Sequence, residues 1–135
     1  MSMLEIDRLS LAIHGVPILE EVSMRCGEGE ILGVIGESGS GKSMTALATM
    51  GLAPQGTVAE GAIRLDGDDL LALSEARMCR VRGAQIGMIF QEPMTALNPV
   101  QTIGRQVAET VRIHGRASGR EAEEIARATL DRVGL

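Results

Sequence analysis

Residues 31–50 read Ile-Leu-Gly-Val-Ile-Gly-Glu-Ser-Gly-Ser-Gly-Lys-Ser-Met-Thr-Ala-Leu-Ala-Thr-Met. The first five are apolar on both faces, the pattern of a strand buried between helical layers, which is a parallel-sheet signal. Residues 36–43, Gly-Glu-Ser-Gly-Ser-Gly-Lys-Ser, match G-x-x-x-x-G-K-[ST]. Gly36, Gly39 and Gly41 let the backbone curl so that successive N–H groups point inward, and the following helix adds the positive end of its dipole. Anionic phosphates fit such a cradle. Glu37, Ser38 and Ser40 supply its remaining backbone, Lys42 sets its ammonium against β and γ oxygens, and the Ser43 hydroxyl completes a Mg²⁺ shell otherwise made of phosphates and water. Thr45 to Met50 continue as a helix that Gly51 and Pro54 stop. Strand, loop and helix thus follow in the order the motif requires.

Upstream, Leu4, Ile6, Leu9 and Leu11 alternate with one break, and Val22 and Met24 alternate against Glu21, Ser23 and Arg25. Both segments read as half-buried, antiparallel strands, with His14 to Pro17 as the turn. Downstream, residues 61–65 read as a short strand closed by Asp66-Gly67, and Ser74 caps a short helix over Glu75 to Val81. Ile86 to Phe90 reads as a second buried strand. Ile103, Val107 and Val111 recur at helical spacing up to Gly115. Ser118 and Glu121 match a capping box ahead of Ala122, Ile125, Ala126, Thr129, Leu130 and Val133, with Gly134 at the C′ position. The chain is therefore α/β.

The chain has 135 residues, 18 acids against 13 bases and a formal charge of −5. This acidic balance excludes a nucleic-acid binder that relies on a broad basic patch. Lys42 is the only lysine and Phe90 the only aromatic residue, so the core is built from aliphatic side chains and methionine. No apolar run approaches the ~20 residues of a membrane span, and charges at Glu5, Asp7 and Arg8 argue for a soluble chain without a signal peptide. Cys26 and Cys79, widely separated, read as free thiols of a reducing compartment.

The phosphate loop continued by Met44-Thr-Ala-Leu, the segment Met88-Ile-Phe-Gln-Glu-Pro-Met-Thr-Ala-Leu-Asn-Pro99 and the ending Asp131-Arg-Val-Gly-Leu135 together resemble the ATP-binding subunits of ABC transporters, in particular the oligopeptide, dipeptide and nickel importer group. The resemblance covers nearly the whole chain. It implies a P-loop NTPase-like core with an N-terminal antiparallel β subdomain over residues 1–91 and the start of a helical subdomain over 92–135. It implies ATP and Mg²⁺ as ligands, with Met44 beside the phosphates and Gln91 reaching both the metal and the attacking water. A polar residue directly after an apolar strand is also where open α/β sheets place ligands. The region from Gln91 onward is expected to contact the membrane subunits, and a second ATP-binding subunit to complete the site, on the cytoplasmic face of the cell membrane. The family stacks an aromatic ring on adenine near the end of the first strand. Here the matching stretch is Leu11-Ala-Ile-His14, which leaves Ile13 as an aliphatic base contact.

The family's signature Leu-Ser-Gly-Gly, its second acidic motif and its switch histidine do not occur in the sequence. The chain accordingly reads as the N-terminal part of a longer ATPase that binds nucleotide weakly and does not hydrolyse it at a useful rate. Two other readings stand beside the importer motor. One is a different soluble P-loop ATPase or kinase, which leaves the Gln-Glu-Pro segment unexplained. The other is a non-catalytic interaction fragment whose loop holds no nucleotide.

Overall fold

The break in the apolar alternation after Ile6 is a β-bulge. The computed structural model of the chain describes residues 3–92, 97–115 and 117–135. Within them β1 (Leu4–Ile13), β2 (Val16–Cys26), β3 (Thr57–Leu65) and β4 (Asp68–Asp69) form an antiparallel sheet in the order β2-β1-β3-β4. The register of β1 slips between Ile6 and Leu9 against β2, and between Asp7 and Ser10 against β3. Arg8, at φ 44°, is the extra residue, and it returns Leu9 and Leu11 to the face already occupied by Ile6. All three are buried, together with Leu19 and Ile63. A second slip places Glu21 at φ 49° in β2.

Each bulge frees a backbone N–H, and a hydroxyl on the other strand takes it up. Arg8 N–H donates to Ser23 Oγ at 2.9 Å, and Glu21 N–H donates to Ser10 Oγ at 3.0 Å. Opposite the first bulge lies Gly61, at φ +94°, where a Cβ would collide with Arg8 O and lie 2.6 Å from Asp7 O. The β1–β2 turn is tighter than the sequence suggests. His14 and Gly15 alone carry it, both at positive φ, while Val16 and Pro17 already belong to β2.

The chain divides into two compact units, Met1–Met78 and Cys79–Leu135. The first holds the sheet, α1 (Lys42–Thr49) and a 3₁₀ turn at Leu70–Ala72. Helix α1 ends as predicted at Gly51: Leu52 N–H reaches Leu47 O and Gly51 N–H reaches Ala48 O, the two bonds of a Schellman cap. Helix α2 (Glu75–Val81) starts on Ser74, whose carbonyl accepts from Arg77 and Met78.

In the second unit α3 (Ile103–Ile113) and α4 (Gly119–Arg132) pack on each other. Ala108, Ala122 and Ala126 are fully buried, flanked by Val107, Val111 and Ala117. Alanines at the contact leave no room for a longer side chain, so Ala126→Leu is expected to cost about 1–3 kcal/mol by overpacking, read as a lower denaturant midpoint. Gly134 and Leu135 close α4 with a second Schellman cap, through Asp131 O and Leu130 O.

Three expectations fail. Residues 31–35 and 86–90 are not strands: Ile31, Ile35 and Ile89 are more than nine-tenths exposed, and a single bridge between Arg82 and Ile86 is the only pairing in either segment among the described residues. An apolar run becomes a parallel strand only with hydrogen-bonded neighbours and helices over both faces. Ser118 takes the N-cap position of α4, but its hydroxyl caps nothing, because Gly119 turns the backbone through φ 54° at the helix start. The side-chain cap forms instead on α3, where Thr102 Oγ1 accepts from Arg105 N–H at 3.4 Å.

Candidate functional site

The phosphate loop is shaped by what its glycines touch. Gly41, at φ +88°, lies against β2, where a Cβ would collide with Leu19 Cδ2. Only a residue without a side chain brings the loop's end this close to the sheet. Ser40 N–H donates to Glu37 O at 3.2 Å, and Thr45 binds Gly41 O twice, through its N–H at 2.8 Å and its hydroxyl at 3.0 Å. A Cβ on Gly36 would lie 2.6 Å from Ser40 Oγ.

Lys42 closes the loop on itself. Its Nζ donates to Gly36 O at 2.7 Å, to Glu37 O at 2.6 Å and to Ser40 Oγ at 3.1 Å. The ammonium is thus held inside the ring formed by residues 36–42. Helix α1 opens on Gly41 with no side-chain cap and with no acidic residue in its first turn. Its leading N–H groups have no side-chain cap, and no carboxylate in the first turn neutralises the positive end of its dipole, the arrangement that favours a bound anion.

Gly36, Glu37, Ser40, Gly41 and Lys42 are brought together in this way. Ser38 and Gly39 lie exposed on the crest, and Ser43 and Met44 lie in the first turn of α1, Ser43 exposed. Ile13 sits half-buried at the end of β1, paired with Val16 and Thr57. Gln91 belongs to the second unit, exposed in a bend. Of the segment that follows it, residues 93–96 lie outside the described residues. The wall that Leu19 builds behind the loop was not legible in the sequence. Its one signal was the glycine at position 41, which had to be side-chain-free for a reason the motif alone does not reveal.

Among the described residues no helix is long and apolar enough to cross a membrane. Residues 19–135 match the family described as ABC transporter. The chain is similar to the glutathione import ATP-binding protein GsiA of Salmonella choleraesuis (strain SC-B67), 47% identical over 98% of this chain and 23% of that protein. It is 52% identical to the probable peptide ABC transporter ATP-binding protein y4tR of Sinorhizobium fredii, over 78% of this chain and 32% of that protein. The probable D,D-dipeptide transport ATP-binding protein DdpD of Escherichia coli is 47% identical over 89% of this chain and 38% of that protein. The chain therefore spans a quarter to two-fifths of the length of these relatives. The structure of a bacterial Atm1-family ABC exporter with ATP bound superposes with a TM-score of 0.61 at 22% identity, over 97% of this chain and 21% of that one, which shows the shared fold. With its phosphate loop, its antiparallel sheet and this match over residues 19–135, the chain belongs to the ABC transporter family and has that family's P-loop ATPase fold.

Proposed function

We propose that the chain is the ATP-binding part of the motor subunit of an importer for peptides or related small solutes. The observation that carries the proposal is the loop of residues 36–42 closed around the Lys42 ammonium and running into the uncapped start of α1. In this reading Gly36 to Ser43 and Met44 hold the triphosphate through backbone N–H groups and the ammonium. A magnesium ion is in this reading held chiefly by phosphate and water, with Ser43 supplying one hydroxyl ligand, and the family resemblance assigns Gln91 as a second, carbonyl ligand.

Ile13 is the base contact. Leu19 backs Gly41, and three residues of extended strand, about 10 Å, separate Leu19 from Val16, the partner of Ile13 at the hairpin tip. That separation suits the span from the phosphates of a nucleotide to its base. Residues 1–91 form the nucleotide core and residues 92–135 the beginning of the helical subdomain. From Gln91 onward the chain meets the membrane subunits, a second ATP-binding subunit closes over the nucleotide, and the protein works peripherally on the cytoplasmic face of the membrane. The solute class follows the relatives, whose names concern glutathione and peptides.

Calorimetric titration with ATP in the presence and absence of Mg²⁺ tests the proposal. Mg²⁺ is expected to strengthen binding, and Ser43→Ala to remove most of that enhancement while leaving the weaker metal-free binding in place. Absence of heat at millimolar Mg-ATP overturns the reading in favour of a fragment that binds no nucleotide.

A further inference from the structure

Asn98, Pro99, Val100 and Gln101 form a turn closed by Gln101 N–H donating to Asn98 O at 3.2 Å. Asn98 reinforces it from within, its Oδ1 accepting from Val100 N–H at 3.0 Å. The turn is then tied to α3 by one side chain. Gln106 Oε1 accepts from Asn98 N–H at 3.0 Å, while Gln106 Nε2 donates to Asn98 O at 3.0 Å and to Gln101 O at 3.1 Å. The single carboxamide therefore satisfies both backbone groups of the first turn residue and the carbonyl of the last. Its own backbone N–H is bonded within the helix start, to Thr102 O at 3.2 Å, and the side chain is half-buried. Only a carboxamide of this length has an acceptor and two donors in the required arrangement.

We infer that Gln106 is the positioning residue that makes the 98–101 turn and α3 one rigid body, so that a membrane subunit engaging this turn moves the helix pair instead of bending the turn. The inference rests on the motor-subunit reading. Without the clamp the turn keeps its internal bonds but loses the three side-chain hydrogen bonds that tie it to α3. A push on the turn is then absorbed locally. With the clamp the displacement passes to α3 and, through Ala108, Ala122 and Ala126, to α4.

The test uses the full-length motor subunit, alone and assembled with its membrane subunits. Gln106→Ala removes all three bonds. Gln106→Glu keeps the acceptor toward Asn98 N–H but sets carboxylate oxygens against the carbonyls of Asn98 and Gln101. For both variants the ATP affinity and basal ATPase of the detached subunit are expected to stay within twofold of the parent. Solute-stimulated ATPase of the assembled importer is expected to fall at least tenfold, with kcat changed and KM for ATP kept. At acidic pH the introduced carboxyl regains a proton to donate, so the glutamate variant is expected to recover in part where the alanine variant does not.

Equal loss of basal and stimulated rates overturns the positioning role and leaves a merely structural one. Unchanged stimulation in both variants also overturns it. Should the alanine variant fail to fold, the glutamate variant and its pH profile decide alone, recovery supporting the clamp and a flat profile opposing it. A parent subunit that binds no ATP is instead the failure of the motor reading itself.

Discussion

Lys42→Ala is expected to raise the Kd for Mg-ATP by one to two orders of magnitude while leaving the folded structure intact. A charge-assisted hydrogen bond contributes about 1.5–3 kcal/mol, and each 1.4 kcal/mol is a factor of ten. Lys42 has three N–H donors, and in this structure all three are directed into its own loop, at Gly36 O, Glu37 O and Ser40 Oγ. The ammonium is therefore ordered at the loop before phosphate arrives; on binding, a phosphate oxygen takes over one of these donors, so little side-chain freedom is lost and a neutral acceptor is exchanged for an anionic one. Lys42→Arg is expected to fail as well, since a planar guanidinium replaces a compact point charge inside a ring of backbone carbonyls. Calorimetry on both variants checks the prediction, with circular dichroism as the control for folding. Binding of Mg-ATP at the parent's affinity by Lys42→Ala would sink it.

Gly61→Ala is expected to destabilise the first unit by more than about 3 kcal/mol, enough to unfold a domain of ordinary stability in part. Two costs combine. A non-glycine residue at φ +94° costs about 1–2 kcal/mol. The added methyl also meets Arg8 O and Asp7 O, which are backbone atoms of the neighbouring strand and cannot swing aside as a side chain would. Gly67 is the natural control. It lies at φ +91° in the β3–β4 turn with nothing within 4 Å of a built Cβ, so Gly67→Ala is charged only with the conformational cost. Urea midpoints of the two variants separate the clash from the dihedral. Equal midpoints show that the β1 backbone yields freely and that the bulge is not rigid.

The sequence reveals how much of this was accessible to pattern alone. The break between Ile6 and Leu9 was visible as a fault in alternation, and it became a bulge because an extra residue is the only way to keep both side chains on the buried face. The phosphate loop was legible because its chemistry is local: glycines, a lysine and a helix start within eight residues. The helix stops at Gly51 and Gly134 were legible for the same reason.

Residues 31–35 and 86–90 were misread because an apolar run specifies the environment a segment is built for, and says nothing of whether neighbouring strands are present to provide it. The clamp at Gln106 could not be read at all. A glutamine five residues after a turn has no periodicity, and only the coordinates show which way its carboxamide lies. The helix caps illustrate the same limit, since Ser118 fits the capping-box pattern and Thr102, which does not, makes the bond.

The sheet's outer strand has one more consequence. Strand β2 is 11 residues long and lies at the edge of the sheet, so among the described residues it pairs with a strand on one side only. Such an edge is a template for association. Here Pro17 has no N–H to offer, the adjacent carboxylates of Glu20 and Glu21 repel an approaching strand that carries the same acidic balance, and the bulge at Glu21 breaks the straight ladder that pairing needs. The irregularity that restores the buried face inside the sheet thus has a counterpart at its rim, where a kink and two charges keep neighbouring molecules from adding themselves as a further strand.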